Sequence, residues 1–157
     1  MPIVTPADYK QALGRFVSGV TVVAVEFGGQ VHGMTASAFL SVSLDPPLVL
    51  VSVARSAKMH ALMPAAGRFA VSILSAGQQA LSSHFAGYGD AEVSWERGAA
   101  ESPVVLGCLG WVDCLLDAAH DAGDHTLYLG RVQRVGWAEA EPLTYYRGKY
   151  RGLAPLD

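Results

Sequence analysis

The sequence predicts a single domain of the mainly β class, built as an antiparallel barrel with peripheral helices. Many short runs of β-branched residues are bounded by Gly or Pro turns, which is typical of short antiparallel strands. Only three short stretches show helical spacing, and they alternate with strands too irregularly for a doubly wound parallel sheet. A length of 157 residues fits one domain over residues 1–157.

Three short helices are predicted, each with a recognisable start or stop signal. The first begins at Thr5-Pro6, because Thr is a favourable N-cap and Pro fits the first helical position. Apolar residues continue from there at helical spacing as far as Gly19. The second and third helices are predicted over 56–63, where Pro64 stops the helix, and over 78–85, where Gly87 closes it.

Seven strands are predicted from the apolar runs between these helices. Gly28-Gly29 signals a hairpin, and Pro46-Pro47 separates two further strands. Residues 88–102 are polar and contain Gly, so we expect a surface excursion there. The predicted strands are 20–27, 30–34, 41–44, 48–53, 69–74, 111–119 and 125–137.

The composition favours a homodimer. Hydrophobic residues make up 51% of the chain and charged residues only 16%, with a mean hydropathy of +0.28. A domain of this size buries a limited share of its surface alone, so apolar surface is left over for a second copy.

Several classes of function are excluded by charge and by missing motifs. No apolar run reaches the roughly 18 residues of a membrane span, and the start does not look like a secretion signal. The net charge of −3 argues against binding to nucleic acid. The sequence has no metal-ligand spacing, no Gly-x-Ser-x-Gly and no Gly-x-Gly-x-x-Gly after a strand, so any NAD(P)H binds without a Rossmann site. We expect Cys108 and Cys114 to be reduced and buried in a cytoplasmic protein rather than joined in a disulfide.

Small side chains and hydroxyls stand where apolar bulk would be expected in the segment Met34-Thr35-Ala36-Ser37-Ala38. Such a segment lets backbone N–H and C=O groups reach the polar edge of a flat ring, while the hydroxyls serve phosphate or ring oxygens. The alternative interpretation is a small-residue turn between two strands.

An arginine, a serine and a lysine follow the next apolar strand, in the segment Ser52-Val53-Ala54-Arg55-Ser56-Ala57-Lys58. A helix N-terminus, an Arg fork and a Lys point charge together suit a phosphate, and Ser56 suits the N-cap. The alternative is an ordinary capped helix with solvated cations. Taken together, the two segments predict a site for a phosphorylated flavin.

A histidine opens the last long predicted strand. Asp124-His125 follows a predicted turn at Gly123, and an imidazole there can stand at the mouth of a pocket and touch a ring. The alternative is a turn aspartate followed by an exposed histidine.

Five motifs in fixed order carry a resemblance: LGRFVSGVTVV (13–23), GMTASAF (33–39), SVSLDPPLVL (41–50), GRFAVSIL (67–74) and GDH (123–125). Over about residues 9–153 the chain resembles the flavin reductase-like family, the FMN-binding split barrel, and above all the reductase partners of two-component flavin monooxygenases. The C-terminal YYRGKY (145–150) is also similar to that family.

The resemblance implies a Greek-key split barrel that forms a homodimer, with flavin near the subunit interface. The segment 35–38 would lie along the flavin and the segment 52–58 would hold its ring edge and phosphate. The implied cofactor-binding residues are Met34, Thr35, Ala36, Ser37, Ala38, Ser52, Val53, Ala54, Arg55, Ser56, Lys58, Phe85 and Gly87. His125 would lie by the nicotinamide, and Tyr150 would help to close the site.

The predicted activity is an NAD(P)H:flavin oxidoreductase. It would reduce FMN or FAD with hydride from NADH or NADPH and supply reduced flavin to a separate oxygenase. No side chain need act as a nucleophile, because the two cofactors carry the chemistry. The alternatives are a non-catalytic flavin-binding or redox-sensing protein and a purely structural β-barrel module.

Overall fold

The computed structural model describes residues 3–96 and 100–157. In this part of the chain, three helices and twelve strands follow one another, with a 3-10 turn (Ala76–Gln78) before the third helix. In chain order they are α1 (Pro6–Leu13), β1 (Ser18–Gly19), β2 (Thr21–Phe27), β3 (Gln30–Ala36), β4 (Phe39–Leu44), β5 (Pro47–Ala54), α2 (Lys58–Ala66), β6 (Arg68–Ile73), α3 (Gln79–Phe85), β7 (Trp95–Glu96), β8 (Val104–Val105), β9 (Gly110–Ala122), β10 (His125–Trp137), β11 (Thr144–Tyr146) and β12 (Lys149–Arg151).

The main sheet has seven antiparallel strands in the order β3-β2-β6-β9-β10-β5-β4. Its two edge strands, β3 and β4, follow each other in the chain and are separated only by Ser37 and Ala38. The sheet must therefore curl until its edges meet at this corner, which leaves an open barrel. The predicted mainly β barrel with peripheral helices is confirmed, and its split lies at residues 37–38.

The core lies on both sides of β2, whose first five residues are all buried. Val23 and Val25 pack in one cluster with Phe69 and Met63, whereas Val22 packs in a second cluster with the strand β8. Because side chains alternate along a strand, one continuous apolar run supplies both clusters.

The predicted first helix is too long. α1 ends at Leu13, and Ser18–Gly19 instead forms the short strand β1 against β11. Phe16 is 81% exposed, so its helical spacing reflects no buried face. The helical spacing of apolar residues therefore does not predict helix beyond Leu13.

The predicted second helix begins and ends at the wrong residues. Ala57 is the N-cap, so Ser56 does not cap the helix as predicted, and α2 continues through Pro64. Proline has no N–H to donate to the carbonyl four residues earlier. The Tyr128 hydroxyl donates to this His60 carbonyl instead, at 2.6 Å, so a residue of β10 satisfies the acceptor that Pro64 leaves open.

A C-terminal hairpin, β11–β12, is absent from the sequence prediction, and it pairs with β1 in a separate three-stranded sheet. The predicted surface excursion over 88–102 lies partly outside the described residues, which exclude 97–99. Its described part contains β7, which pairs with β8.

Candidate cofactor site

Backbone hydrogen bonds join the three segments that the sequence singles out. The Ser52 N–H donates to the Ala38 carbonyl at 3.1 Å, which continues the pairing of β4 with β5 into the corner of the barrel. The Arg55 N–H donates to the Asp124 carbonyl at 3.0 Å. The small-residue segment, the cationic segment and the Asp124-His125 turn are therefore neighbours in the fold, although they lie far apart in the sequence.

Side-chain hydrogen bonds extend this connection to α3 and the C-terminal hairpin. The Thr35 hydroxyl donates to the Ser82 carbonyl at 2.6 Å. The Ser82 and Tyr150 hydroxyls share a hydrogen bond of 2.7 Å, and Ser82 is fully buried. Thr35 thus binds the protein itself, and the predicted residues Thr35 and Tyr150 are linked through Ser82.

A cavity of about 460 Å³ lies between β3, α2 and α3, and we call it the α2–α3 cavity. Its volume falls within the range of small-molecule sites. Four predicted cofactor residues line it: Met34, Lys58, Phe85 and Gly87. Other lining residues that the sequence analysis missed include His32, Gly33, Met59, Leu62 and His84.

The Phe85 ring forms a fixed wall of this cavity. It lies so close to the backbone of β3 that a Cβ atom at Gly33 would be only 2.5 Å from a ring carbon. On its other sides it contacts His84, with ring centroids 4.9 Å apart, and Trp95, with centroids 5.8 Å apart. Gly33 is therefore required for the position of this aromatic wall.

A second cavity of about 360 Å³, which we call the tyrosine cavity, lies on the other side of α3. Three residues for which the sequence predicts ligand contacts, Thr35, Ser37 and Tyr150, line it together with Tyr145. The Tyr145 and Tyr150 rings meet edge to face with centroids 5.4 Å apart. Aromatic faces beside hydroxyls suit a flat polar ring.

The two predicted cations have different surroundings. Arg55 makes an ion pair of 3.0 Å with Asp121 and so helps to hold the β9–β10 turn. Lys58, at the first position of α2, lines the α2–α3 cavity. Lys58 is therefore the cation that the fold offers to an anionic group in that cavity, while Ser56 is exposed.

His125 stands opposite Ala54 in the pairing of β10 with β5. Its Nδ1 lies 2.7 Å from the Asp124 carboxylate, and this hydrogen bond to His125 lowers the pKa of Asp124. A carboxylate on Nδ1 fixes the orientation of the ring. The His125 side chain remains 42% exposed, so a ligand can reach it.

Two predicted residues turn their side chains away from any ligand. Val53 is fully buried and Ala36 is 7% exposed, and both belong to the barrel core. Their side chains alternate with those of Ser52 and Thr35 along the strands, so only their backbone can contact a cofactor. Residues 3–96 and 100–157 contain no cluster of His, Cys, Asp and Glu that could hold a metal ion.

The residues present fit a phosphorylated flavin. Met34 and Phe85 offer apolar surface, the corner at 37–38 offers backbone groups without bulky side chains, and Lys58 offers a positive charge. The fold and this site define the chain as a split-barrel protein with room for a flat, anionic cofactor. The chain belongs to the flavin reductase-like family: the model of the flavin reductase like domain matches residues 13–154.

Comparison with individual proteins agrees with this class. The chain is 45% identical over 162 aligned positions to an NADH-dependent flavin reductase of Rhodococcus sp, covering 99% of this chain and 90% of the relative. It is 44% identical over 146 positions to the reductase component of 4-hydroxyphenylacetate 3-monooxygenase from Thermus thermophilus, covering 92% of this chain and 95% of that protein.

Solved structures give the same result. The flavin reductase PheA2 in its native state superposes with a TM-score of 0.93 at 41% identity, covering 96% of this chain and 99% of that chain. The NADH:FAD oxidoreductase SgcE6 of Streptomyces globisporus C-1027, in complex with NAD and FAD fragments, gives 0.86 at 36% identity, covering 99% and 98%. The predicted family, split-barrel fold and oxidoreductase class are confirmed.

Proposed function

We propose that the protein takes hydride from NADH and reduces FMN or FAD, which then leaves for a separate oxygenase. The observation that carries this proposal is the hydrogen-bonded path from Tyr150 through Ser82 to Thr35, and on from Ala38 to Ser52. It links residues to which we assign contacts with the flavin ring and with the hydride donor. NADH is the donor named for the Rhodococcus relative, and the Thermus relative is named as the reductase component of a monooxygenase.

Each predicted group has a distinct binding role in this proposal. The backbone of residues 35–38 orients the flavin ring, and Phe85 lines the neighbouring cavity with apolar surface. Lys58 binds the phosphate as a point charge. When bound, the flavin supplies the capacity to accept hydride, and the protein supplies orientation.

His125 and Tyr150 position the hydride donor. Hydrogen bonds connect both residues to the predicted segments: Tyr150 is linked through Ser82 to Thr35, and the Asp124 carbonyl beside His125 accepts from the Arg55 N–H. Asp124 holds the His125 ring through Nδ1. Neither side chain transfers a proton, so their contribution is to the geometry of the two rings.

We also propose that the protein is a homodimer in the cytoplasm. The edge strand β4 carries three exposed apolar residues: Leu40 (51%), Val42 (47%) and Leu44 (91%). Leu40 pairs with Leu50, and Leu50 with Leu129, so an apolar row continues across β5 and β10 on the outer face of the barrel. The free, buried cysteines Cys108 and Cys114 support a reducing compartment. In the described residues, no helix is long and apolar enough to cross a membrane.

Light scattering tests the dimer. We expect twice the 16.5 kDa chain mass at micromolar concentration, and a substantial monomer fraction in Leu40→Lys. A monomer mass for the unchanged protein would contradict the proposal.

Flavin titration and steady-state turnover test the activity. We expect FMN or FAD to bind with a Kd of about 1 µM or less and NADH to be oxidised when flavin is added. Lys58→Gln should weaken FMN binding but leave riboflavin, which has no phosphate, unaffected. Lys149→Gln, the same charge change on the C-terminal hairpin, is the matched control. Flavin binding without NADH oxidation would indicate a non-catalytic flavin protein, and no flavin binding would remove the whole proposal.

A further inference from the structure

A third concavity, which we call the basic pocket, gathers positive charge at the end of α1. It has a volume of about 180 Å³, and Lys10, Arg15 and Arg147 line it together with Gln11, Gly14 and Gly148. Three of the chain's eleven Lys and Arg residues thus converge in one small pocket of a protein whose net charge is −3. The roles assigned above to the two larger cavities do not involve this pocket.

The pocket is formed by a specific docking of the β11–β12 turn on the end of α1. The Arg147 N–H donates to the Gly14 carbonyl at 3.0 Å. A Cβ atom at Gly14 would lie 2.8 Å from the Lys10 carbonyl and 3.9 Å from the Arg147 Cα. Arg147 itself has a φ of 51°, which is uncommon for a residue with a side chain. This close approach fixes the start of the Arg147 side chain beside the helix.

Capping of α1 accounts for Arg15 but not for Lys10 and Arg147. Cations near a helix C-terminus usually satisfy its free carbonyls. In this helix the backbone N–H groups of Gly14, Arg15 and Phe16 already bind the carbonyls of Lys10, Ala12 and Leu13. The Arg15 guanidinium binds the Gln11 carbonyl.

The Lys10 ammonium and the Arg147 guanidinium therefore remain available. Within residues 3–96 and 100–157, neither forms an ion pair with a carboxylate. Two unpaired cations held at one concavity make it a site for an anion of similar size.

The basic pocket and the tyrosine cavity share one hairpin. Arg147 and Gly148 form its turn and line the pocket, while the facing pair Tyr145 and Tyr150 lines the cavity. A Cβ atom at Gly148 would lie 4.0 Å from the Tyr145 hydroxyl, so the tyrosine reaches the turn. A ligand with a ring against the tyrosines can therefore place a phosphate against the turn.

We infer that the basic pocket binds a phosphate of the nicotinamide dinucleotide whose ring lies by Tyr150. This inference rests on the proposed function. The small volume favours a phosphate group over a second ring, and an Arg fork beside a Lys is a suitable phosphate partner. The pocket would thus raise the affinity for the hydride donor without touching the reacting rings.

Two hydride donors test the inference. NADH carries phosphates, whereas 1-benzyl-1,4-dihydronicotinamide carries none. The variants are Arg147→Gly, since Gly adopts the positive φ of this turn readily, and Lys10→Gln. Lys149→Gln is the control, because Lys149 lies on the same hairpin but does not line the pocket.

We expect the KM for NADH to rise about fivefold in each single variant and about twentyfold in the double variant, from the loss of exposed charge contacts. The kcat/KM with the benzyl donor should stay within about twofold in every variant. An unchanged KM for NADH in the double variant would overturn the inference.

A second arm replaces FMN by riboflavin and identifies the source of the phosphate. If the variants raise the KM for FMN but not for NADH or riboflavin, the pocket binds the flavin phosphate and the assignment to the donor is wrong. If the unchanged protein oxidises neither hydride donor, the proposed function fails first, and the inference falls with it.

Discussion

Gly33→Ala tests whether the Phe85 wall shapes the cofactor site. The added methyl would lie 2.5, 2.7 and 3.2 Å from three ring carbons of Phe85. Carbon atoms pack best at about 3.5–4.0 Å, so the ring must move by roughly 1 Å or more. His84 and Trp95 stand against that movement. Overpacking of this kind costs about 1–3 kcal/mol, which lowers the Tm of a chain this long by roughly 3–10 °C.

Flavin binding should suffer as well, because the displaced ring lines the α2–α3 cavity. We expect the Kd for FMN to rise at least about tenfold, or about 1.4 kcal/mol. Fluorescence titration and thermal unfolding measure the two effects. The double variant Gly33→Ala/Phe85→Leu removes the ring carbons that clash, so it should recover Tm relative to Gly33→Ala and give a coupling of about 1 kcal/mol. A single variant with unchanged Tm and Kd would refute the role of this wall.

Three other residues give predictions of their own. Tyr128→Phe removes the donor to the His60 carbonyl and should lower the free energy of unfolding in urea by about 1–3 kcal/mol. Adding Pro64→Ala should restore stability, because the alanine N–H can donate to the same carbonyl. No loss in the single variant would show that water satisfies the carbonyl. His125→Ala should lower kcat/KM for NADH by about one to two orders of magnitude and change the flavin Kd less than about threefold. If flavin affinity fell as much as kcat/KM, His125 would contact the flavin rather than the hydride donor. Burial raises the pKa of the Cys114 thiol from 9.0 to about 12. Its contribution to the free energy of unfolding is therefore fully present below pH 9 and is lost as the pH rises towards 12. A thiol reagent at pH 8 should modify Cys114 only in denaturant, and rapid labelling of the native protein would contradict its burial.

The strands of the main sheet are predictable because each carries its own signal. Apolar β-branched runs and the turns at Gly28, Pro46 and Gly123 are local features, and they place most of the seven strands. The short strands of the C-terminal hairpin escape prediction, because two or three residues are too few for a period to show. The first helix is predicted too long because Phe16 continues the helical spacing of apolar residues, although its side chain is exposed.

The remaining errors come from contacts between distant residues. A proline normally stops a helix, and no local pattern reveals that Tyr128 takes over its missing hydrogen bond. In the same way, Ser82 has no motif of its own, and its importance appears only when Thr35 and Tyr150 both bind it. The ion pair of Arg55 with Asp121 also has no local signal, because the two residues are distant in the chain.

The corner of the barrel at residues 37–38 has a consequence for how folding and ligand binding are coupled. The segments that meet there extend from Thr35 to Tyr150, so the site is assembled only when distant parts of the chain have come together. Flavin then binds the folded domain rather than the unfolded chain, and each bound molecule lowers the unfolded population. At a flavin concentration of 100 Kd, this mass action adds about 2.7 kcal/mol to the free energy of unfolding. The cellular supply of flavin would thereby govern how long the protein survives, as well as how fast it turns over.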